Sequence, residues 1–264
     1  TRVAEQSAEG RFEAHVEHRR GGEIGRLGEA INRMAHRLAG FVNGQKRFLS
    51  GIAHELCTPI ATIQFGLGNL ERHVAGQEQE RVEDIQEEVQ HMSDLVNELL
   101  SFSKAGLQGV HVKLVPVTLA ATVARVLDRE SPSGQPVSLS VDPALDVLAD
   151  ESYLFRALSN LVRNAIRYAG DAGPVQVSAR ASDGRVFIVV ADQGPGVPVA
   201  ALDEIFAPFY RLDESRSQET GGLGLGLAIV KSCIEACQGI VRCRNRNPSG
   251  LEVEIELQQS AGPL

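Results

Sequence analysis

The sequence predicts a multidomain protein in which an all-α antiparallel helix hairpin, forming a dimeric four-helix bundle, precedes an α/β (α+β) sandwich. Two observations carry this prediction. Apolar residues follow helical spacing through the first 104 residues, and strand and helix patterns alternate from about residue 110 onward. We expect domains at 1–40, 41–108 and 109–260, followed by a short tail at 261–264.

The first element is a short amphipathic helix within residues 1–40. Its apolar residues recur at spacings of three and four, at Ile24, Leu27, Ile31, Met34 and Leu38. The surrounding sequence is polar and rich in Arg, Glu and Gly, so this helix has one apolar stripe.

Two longer helical patterns follow between about residues 41 and 104. The apolar residues of the first are Phe48, Ile52, Leu56, Ile60, Ile63, Leu67, Leu70 and Val74, and those of the second are Val82, Ile85, Val89, Met92, Val96 and Leu99. The second pattern alternates spacings of three and four, as in a heptad seam. The segment 75–77 between them predicts a short hairpin connection. Because two helices bury little surface alone, we predict a homodimer.

His54 differs from the other six histidines in its setting, His54-Glu55-Leu56-Cys57-Thr58-Pro59. The apolar stripe of its helix centres near Ile52, Leu56, Pro59 and Ile63. At roughly 100° per residue, His54 lies about 180° from that centre and faces solvent. A neutral ring nitrogen is a competent nucleophile, and Glu55 can accept a hydrogen bond from the other nitrogen. Pro59 predicts a bend beside the histidine. The alternative is an ordinary solvated histidine.

The alternating elements begin with a strand at 137–141 and a helix near 151–169. Strands at 175–181 and 185–192 precede a polar loop, and a helix opens near Gly226 before strands at 240–244 and 251–257. This order predicts a layer of helices on a mixed sheet.

The helix near 151–169 has a polar and an apolar face. The polar face carries Arg156, Asn160, Asn164 and Arg167, and the apolar face carries Leu154, Leu158, Leu161 and Ala165. Asn is a poor helix former, so a pair of them flanked by Arg favours a functional role over simple solvation. A carboxamide oxygen suits Mg²⁺ bound together with phosphate oxygens.

Two glycine-bearing segments complete the candidate site. Asp192-Gln193-Gly194-Pro195-Gly196 follows an apolar strand, where a carboxylate can accept from an exocyclic amine, although an ordinary turn also uses these residues. The glycines of 221–226 precede a helix and leave N–H groups free for phosphate. Neither a Walker A loop nor a Rossmann turn fits this segment, so a different phosphate-binding fold is required.

Together and in this order, these elements resemble the sensor histidine kinases of bacterial two-component systems, with their GHKL-type ATP-binding fold. The family's H, N, G1, F and G2 boxes correspond to 48–59, 160–168, 192–196, 206–211 and 222–230. Residues 22–38 look like the second half of a HAMP linker. The segment FAPFYRLDESR is similar to the CpxA-like branch of the family.

The resemblance implies a protein-histidine kinase that uses ATP and Mg²⁺ to phosphorylate His54, with Glu55 as the activating base. The phosphoryl group would pass to an aspartate of a response-regulator receiver domain. Asn164 is implied to hold Mg²⁺ and Asp192 to bind the adenine amine. Glu55 and Thr58 also match the family's phosphatase pattern, in which Thr58 helps to position a hydrolytic water.

The remaining nucleotide-binding residues implied by the resemblance lie in four boxes. They are Asn160 and Arg167 near the phosphates, Tyr168 at the adenine, Gly194 and Gly196 in the G1 box, Phe209 and Arg211 in the F box, and Gly222, Gly224, Gly226 and Leu227 in the G2 box.

The amino-acid composition limits the kinds of partner and the cellular setting that we expect. With 34 acidic against 26 basic residues and a net charge of -8, a general electrostatic grip on nucleic acid is disfavoured. The four cysteines have neither the density of a disulfide scaffold nor a zinc-ribbon spacing. No run reaches the roughly 18 apolar residues of a membrane helix, and we expect the cytoplasmic portion of an inner-membrane protein whose membrane segment lies upstream.

Two residues depart from the family pattern. Cys57 stands where the family commonly has Arg, and we expect it to be a buried, inert thiol. Leu223 replaces the usual Ser or Thr, which removes one polar contact near the phosphates.

Two alternative functions are disfavoured by the sequence. A non-catalytic dimeric signalling adaptor is disfavoured because His54, Asn164, Asp192 and the glycines are all retained. Another GHKL ATPase is disfavoured by the adjacent helix hairpin.

Overall fold

A computed structural model of the chain describes residues 23–72, 74, 76–104, 112–131, 136–169, 172–212 and 223–260. The chain divides into two compact units, Thr1–Ile52 and Ala53–Leu264. The expectations for residues 1–22, for the tail at 261–264 and for Gly222 lie outside the described residues. No helix among those described is long and apolar enough to cross a membrane.

Two long helices form the N-terminal part of the described chain. Helix α1 spans Glu23–Leu70 and helix α2 spans Gln77–Lys104. The predicted helix within 24–38 is therefore the beginning of α1 and not a separate element. Helix α1 ends four residues before Val74, which the apolar pattern had included. Gly76 lies in the connection at φ +65, a left-handed conformation that suits glycine, and its carbonyl accepts from the N–H groups of Gln79 and Glu80.

The hairpin from Ala53 onward has its own apolar core. The buried members are Ala53, Ile60, Leu67, Val89 and Val96, with Cys57, Val82, Leu99 and Leu100 packed against them. These residues recur every seven positions on each helix, as one half of a heptad seam. Cys57 packs against this core but is only half-buried, so the expectation of a buried thiol is met only in part, and its inertness stays a prediction.

The other half of the seam is exposed in the single chain. Leu56, Ile63 and Leu70 on α1 and Ile85 and Met92 on α2 are 41 to 52% exposed. The predicted centre of the apolar stripe, near Leu56 and Ile63, therefore differs from the stripe that packs within the chain. The packed stripe of α1 consists of Ala53, Ile60 and Leu67. An apolar stripe of this length beside a packed core is typical of a surface that a second hairpin covers.

The second part of the chain is a helix layer on a mixed sheet, as predicted. The helices are α3 (Leu119–Glu130), α4 (Glu151–Ala169) and α5 (Gly226–Ala236), with a short 3₁₀ helix at Val199–Ala201. The strands are β1 (Val115–Thr118), β2 (Val137–Ser140), β3 (Asp146–Ala149), β4 (Val175–Ser182), β5 (Arg185–Ala191), β6 (Ile240–Asn245) and β7 (Leu251–Gln258).

The main sheet has the strand order β2-β4-β5-β7-β6. Strand β2 pairs parallel with β4, and the other neighbours pair antiparallel. Alternate residues of β4, β5 and β7 are buried beneath the helices, among them Val177, Ile188 and Ile255. The predicted apolar face of α4 is buried as well, at Leu154, Leu158, Leu161 and Ala165.

The opposite face of the sheet is charged. Arg180 pairs with Glu254 and its guanidinium lies 4.2 Å from the centre of the Phe187 ring, and Arg242 pairs with Glu256. Such exposed cross-strand ion pairs are each worth about 0 to 1 kcal/mol and keep this face solvated.

Three elements were absent from the sequence prediction. Strands β1 and β3 are four residues each and pair antiparallel as a separate small sheet, from Val115 opposite Ala149 to Thr118 opposite Asp146. Helix α3 buries Leu119, Val123 and Val126, whose spacing of four and three indicates a helix. It starts directly after β1 without a turn signal, which hid the boundary.

Candidate nucleotide-binding site

A cavity of about 710 Å³ brings together residues from α4, the ends of β5 and β7, and the start of α5. It collects most of the predicted nucleotide residues, namely Asn164, Arg167, Tyr168, Asp192, Gly196, Arg211, Gly224, Gly226 and Leu227. Leu161, Val190, Ile205 and Val253 give it an apolar floor. An apolar cleft with few placed polar groups is the usual form of a small-molecule site.

Asp192 is held at the end of β5 by two backbone donors. Its Oδ1 accepts from Gly194 N at 2.9 Å and from Leu251 N at 3.0 Å, and the residue is only 7% exposed. Both bonds end on the same oxygen. The carboxylate is therefore fixed in orientation while it lines the cavity, as an acceptor that reads a ligand amine must be.

The two glycines after Asp192 are required by close backbone approach. A Cβ at Gly194 would lie 2.5 Å from the carbonyl oxygen of Tyr168. Gly196 has φ +75, and its Cβ would lie 2.8 Å from Asn245 Oδ1. Glycine alone avoids both conflicts. The turn thus seats directly against the C-terminal end of α4, which places Asp192 and Tyr168 at one cavity.

The glycines before α5 pack against α4 and the loop around Phe209. A Cβ at Gly226 would lie 3.2 Å from Asn164 Nδ2 and 3.4 Å from its Oδ1. Gly224, at φ +70, accepts a hydrogen bond from Phe209 N at 3.0 Å through its carbonyl. The helix N-terminus, with its partial positive charge, therefore faces the Asn164 carboxamide across a gap in which a Cβ would make a tight contact.

The Asn164 side chain fits a role as a ligand to Mg²⁺. Its carboxamide is half-buried at the cavity wall beside the start of α5, where phosphates would lie. Within the described part of the chain, no group of three or more His, Cys, Asp or Glu side chains is placed to hold a metal ion. The neutral carboxamide oxygen of Asn164 could bind Mg²⁺ here if phosphate oxygens and water supplied the other ligands.

Asn160 is placed differently from its predicted partner Asn164. It is 3% exposed, its Nδ2 donates to Arg156 O at 2.8 Å, and its Oδ1 accepts from Arg163 NH2 at 2.6 Å. It lines a second and larger cleft of about 1250 Å³ along α2, α3 and α4. That cleft contains neither Asp192 nor the glycines, so the smaller cavity is the better candidate for chemistry.

Among the remaining residues singled out from the sequence, Arg167, Tyr168 and Arg211 line the cavity, whereas Phe209 and Leu223 do not. Tyr168 is 52% exposed and Phe209 is 50% exposed, with a φ of +65 that is rare for a bulky side chain. Arg167 is exposed and Arg211 is half-buried. Leu223 is half-buried, and its side chain occupies the position where a hydroxyl was expected.

His54 is exposed on α1, as predicted, with Glu55 and Thr58 exposed beside it. Pro59 lies inside α1 and does not end the helix. The bend beside His54 stays a prediction. Phe65, eleven residues later and therefore on the same helix face, is 74% exposed. No described residue of α1 lines the cavity, so the structure does not bring His54 to the candidate nucleotide site.

Asp150 organises the start of α4, which carries the asparagines. Its Oδ1 accepts from Ser152 N at 3.0 Å and Tyr153 N at 3.3 Å, and its Oδ2 accepts from Lys113 N at 3.2 Å. Burial alone would raise the pKa of this carboxyl, but the hydrogen bonds from the Ser152 hydroxyl and these N–H groups outweigh it and lower the pKa. The ionised carboxylate is thus the form that caps the helix.

Sequence reasoning missed three residues that support the site. Asn245 is the last residue of β6 and Arg246 follows it, and the Arg246 guanidinium donates to Asp192 O at 3.2 Å and to Gln176 Oε1 at 3.0 Å. Glu98 on α2 accepts from the N–H groups of Leu223 and Leu225. Nothing in the local sequence pattern of these residues indicates such roles, because each contacts a segment at least 48 residues away.

Three family models match the chain. The model described as Histidine kinase-, DNA gyrase B-, and HSP90-like ATPase matches residues 149–261. The model of the His Kinase A (phospho-acceptor) domain matches residues 45–108, and that of the HAMP domain matches residues 1–40. The first range contains the cavity, and the second contains His54.

Curated relatives match along most of the chain. Sensor histidine kinase CpxA of Escherichia coli K12 is 34% identical over 263 residues, which is 97% of this chain and 56% of the relative. Signal transduction histidine-protein kinase BaeS of the same organism is 32% identical over 240 residues, or 89% of this chain and 51% of the relative. The chain spans about half the length of the curated relatives it matches.

Solved structures share the fold. Full-length ShkA in complex with AMPPNP is 32% identical with a TM-score of 0.68, and the match covers 83% of this chain and 47% of that one. The Acinetobacter baumannii histidine kinase AdeS is 26% identical with a TM-score of 0.56, and the match covers 78% of this chain and 98% of that one.

Proposed function

Because the chain belongs to the sensor histidine kinases of two-component systems, we propose that it phosphorylates His54 with ATP and passes the phosphoryl group to an aspartate of a response regulator. One observation carries this proposal. A single chain holds an exposed histidine on a helix hairpin and a cavity that joins Asp192, Asn164 and the glycines before α5.

The nucleotide is proposed to lie with its adenine at Asp192. Oδ1 of Asp192 is engaged by two backbone N–H groups, which leaves Oδ2 to accept from the exocyclic amine. The apolar floor at Leu161 and Val190 offers surface for the ring, and Tyr168 lies at its edge.

The triphosphate is proposed to extend from the adenine toward the start of α5. Backbone N–H groups around Gly224 and Gly226, the helix dipole, and the side chains of Arg167 and Arg211 supply positive potential there. Asn164 would hold Mg²⁺, which when bound neutralises charge on the phosphate oxygens.

In the proposed reaction a ring nitrogen of His54 attacks the γ-phosphorus of ATP. The new N–P bond replaces the bond from the γ-phosphorus to the bridging oxygen, and ADP leaves with that electron pair. Glu55 would take the proton from the other ring nitrogen as the ring becomes cationic. Thr58 is exposed one helical turn after His54. It would position the water that hydrolyses the phosphorylated response regulator in the proposed phosphatase activity.

Partners are proposed from the exposed surfaces of the hairpin. The uncovered half of the heptad seam, from Leu56 to Leu70 and at Ile85 and Met92, would be covered by a second copy in a four-helix bundle. The exposed ring of Phe65, on the same face as His54, offers an apolar contact to a receiver domain. We place the chain on the cytoplasmic side of the inner membrane, joined to a membrane segment through its HAMP region.

The kinase proposal is tested by incubating the protein with γ-labelled ATP and Mg²⁺. We expect an acid-labile, base-stable label that is lost in His54→Ala and retained in His91→Ala, a matched change on the same hairpin. Asn164→Ala should abolish labelling while the oligomeric state stays unchanged. Label that persists in His54→Ala would overturn the assignment, and absence of any label in the unmodified chain would favour the adaptor alternative.

The receiver contact is tested separately with a phosphorylated chain and a receiver domain. Phe65→Ala should slow transfer to the receiver at least fivefold, since an exposed aromatic anchor is lost, and leave His54 phosphorylation unchanged. Equal transfer rates would show that Phe65 lies outside the contact.

A further inference from the structure

Glu98, near the end of α2, places its carboxylate on the segment that begins α5. Its Oε2 accepts from Leu223 N at 3.0 Å and its Oε1 accepts from Leu225 N at 3.2 Å. Both oxygens are engaged by backbone donors two residues apart. The side chain is half-buried and also lines the cavity of the candidate nucleotide site.

One of the two donors, Leu225 N, belongs to an anion-binding arrangement. Gly224 has φ +70, and Leu225 follows with φ -100 and ψ -17, so a left-handed residue precedes a right-handed one. Such a succession turns consecutive N–H groups toward one point, and the dipole of α5 adds to the potential there. A bidentate carboxylate in this position satisfies the same donors that two phosphate oxygens would use.

We propose that Glu98 is an internal competitor for the phosphate subsite, and that a nucleoside triphosphate must displace it to bind. This inference rests on the proposed nucleotide site. An anion of the chain itself and the phosphates of a ligand cannot occupy the same two N–H groups. Binding of the triphosphate and the Glu98 contact are therefore mutually exclusive.

The end of α2 also contacts the nucleotide-binding part of the chain through other residues. The rings of Phe102 and Phe209 meet edge to face with centroids 6.1 Å apart, and Arg156 donates to Ser101 O at 3.3 Å. Phe209 N in turn donates to Gly224 O, so the ring contact and the Glu98 contact engage the same loop pair. Glu98 and Arg156 both supply charge-assisted hydrogen bonds to this junction, and only those of Glu98 engage the segment before α5.

Release of Glu98 would couple nucleotide binding to the freedom of the ATP-binding part relative to α2. We call the arrangement in which Glu98 contacts the start of α5 the docked arrangement. His54 does not line the cavity there, so phosphoryl transfer within the chain requires the docked arrangement to change. Linkage is reciprocal: whatever strengthens the docked contact weakens triphosphate binding by the same factor. Binding of the triphosphate thus weakens the Glu98 contact, which belongs to the arrangement in which His54 lies away from the cavity.

The experiment compares the affinity of the full chain for Mg²⁺-AMPPNP and for adenosine by calorimetry. Glu98→Gln and Glu98→Ala should each bind Mg²⁺-AMPPNP about five- to tenfold more tightly than the unmodified chain, at the lower end of typical coupling between sites. Adenosine has no phosphates, so its affinity should change less than twofold. Glu87→Gln removes the same charge from an exposed position of α2 and should leave both affinities unchanged.

A second measurement reports on the contact itself. Amide hydrogen exchange at Leu223 and Leu225 should be faster in Glu98→Ala than in the unmodified chain or in Glu87→Gln, because both N–H groups lose their acceptor. Unchanged exchange at these amides would overturn the contact.

The remaining outcomes separate this inference from the function on which it rests. Equal Mg²⁺-AMPPNP affinities in the Glu98 and Glu87 variants would overturn the competition, as would an equal gain for adenosine. If neither the unmodified chain nor any of the variants bound Mg²⁺-AMPPNP or adenosine, the proposed nucleotide site itself would be wrong.

Discussion

Asn245 brackets the backbone of Val197 with both ends of its carboxamide. Val197 N donates to Asn245 Oδ1 at 2.9 Å, and Asn245 Nδ2 donates to Val197 O at 2.6 Å. The bracket fastens the segment that follows Asp192 to the end of β6. Because Gly196 and Val197 both line the cavity, Asn245 shapes this wall of the cavity from outside it.

Replacing Asn245 with Ala should weaken the binding of Mg²⁺-AMPPNP by about three- to tenfold. Two hydrogen bonds worth roughly 1 kcal/mol each are lost, and part of that free energy is expressed as a looser turn at Gly196. Calorimetry measures the affinity, and urea unfolding measures the loss of stability. Asn245→Asp keeps the acceptor for Val197 N and should give an intermediate loss. An unchanged affinity in Asn245→Ala would show that the bracket does not support the site.

Gly196→Ala should cost about 1 to 3 kcal/mol of stability, because alanine is strained at φ +75 and its Cβ would meet Asn245 Oδ1 at 2.8 Å. In the Asn245→Ala background that second conflict disappears, so the same substitution should cost less there. Urea unfolding of the two single variants and the double variant gives the coupling. Strictly additive losses would mean that backbone strain alone explains the glycine.

Ile63→Glu should convert a dimer into a folded monomer. Ile63 is 46% exposed in the single chain and belongs to the uncovered half of the seam, where a carboxylate would face the apolar seam of a second hairpin. Size-exclusion chromatography with light scattering measures the mass, and circular dichroism reports the helix content. Ile63→Leu, which conserves volume, should stay dimeric. A dimer that survives Ile63→Glu would place the contact elsewhere.

The stability that Asp150 contributes should depend on pH with a defined sign. Its pKa in the folded chain lies below the ordinary value of 3.8, so ionisation favours the folded state, and the contribution is complete above pH 3.8. Asp150→Ala should therefore lose about 1 to 2 kcal/mol at pH 7, as for a helix cap. The difference from the unmodified chain should shrink as pH falls below 3.8. Urea midpoints at pH 7, 5 and 3 measure it, and a constant difference at pH 3 would contradict the cap.

The hairpin shows how far periodicity predicts structure. Spacings of three and four locate α1 and α2 and place His54 on the exposed side, because a helix turns by a nearly constant angle per residue. Periodicity alone did not divide the seam. Ala53, Ile60 and Leu67 pack within the chain while Leu56, Ile63 and Leu70 stay uncovered, and only the placement of the second helix separates the two sets.

The strands β1 and β3 and the helix α3 show the opposite limit. Four-residue strands such as Val115–Thr118 carry almost no periodic signal, and they exist because the chain brings a partner more than 25 residues away into register. Their absence from the sequence prediction follows from that dependence on distant pairing.

By itself, the sequence determined the two hairpin helices, the helices α4 and α5 with the strands of the main sheet, the exposed His54, and the residues whose chemistry suits a nucleotide, because these depend on local spacing and side-chain type. The tertiary structure alone decided that Asp192, Asn164 and Gly226 share one cavity, that Asn245 brackets Val197, and that Glu98 occupies the amides before α5. Those contacts join segments far apart in the chain, and the backbone donors and acceptors they satisfy exist at every residue. No local pattern marks which of these donors and acceptors a distant side chain will reach.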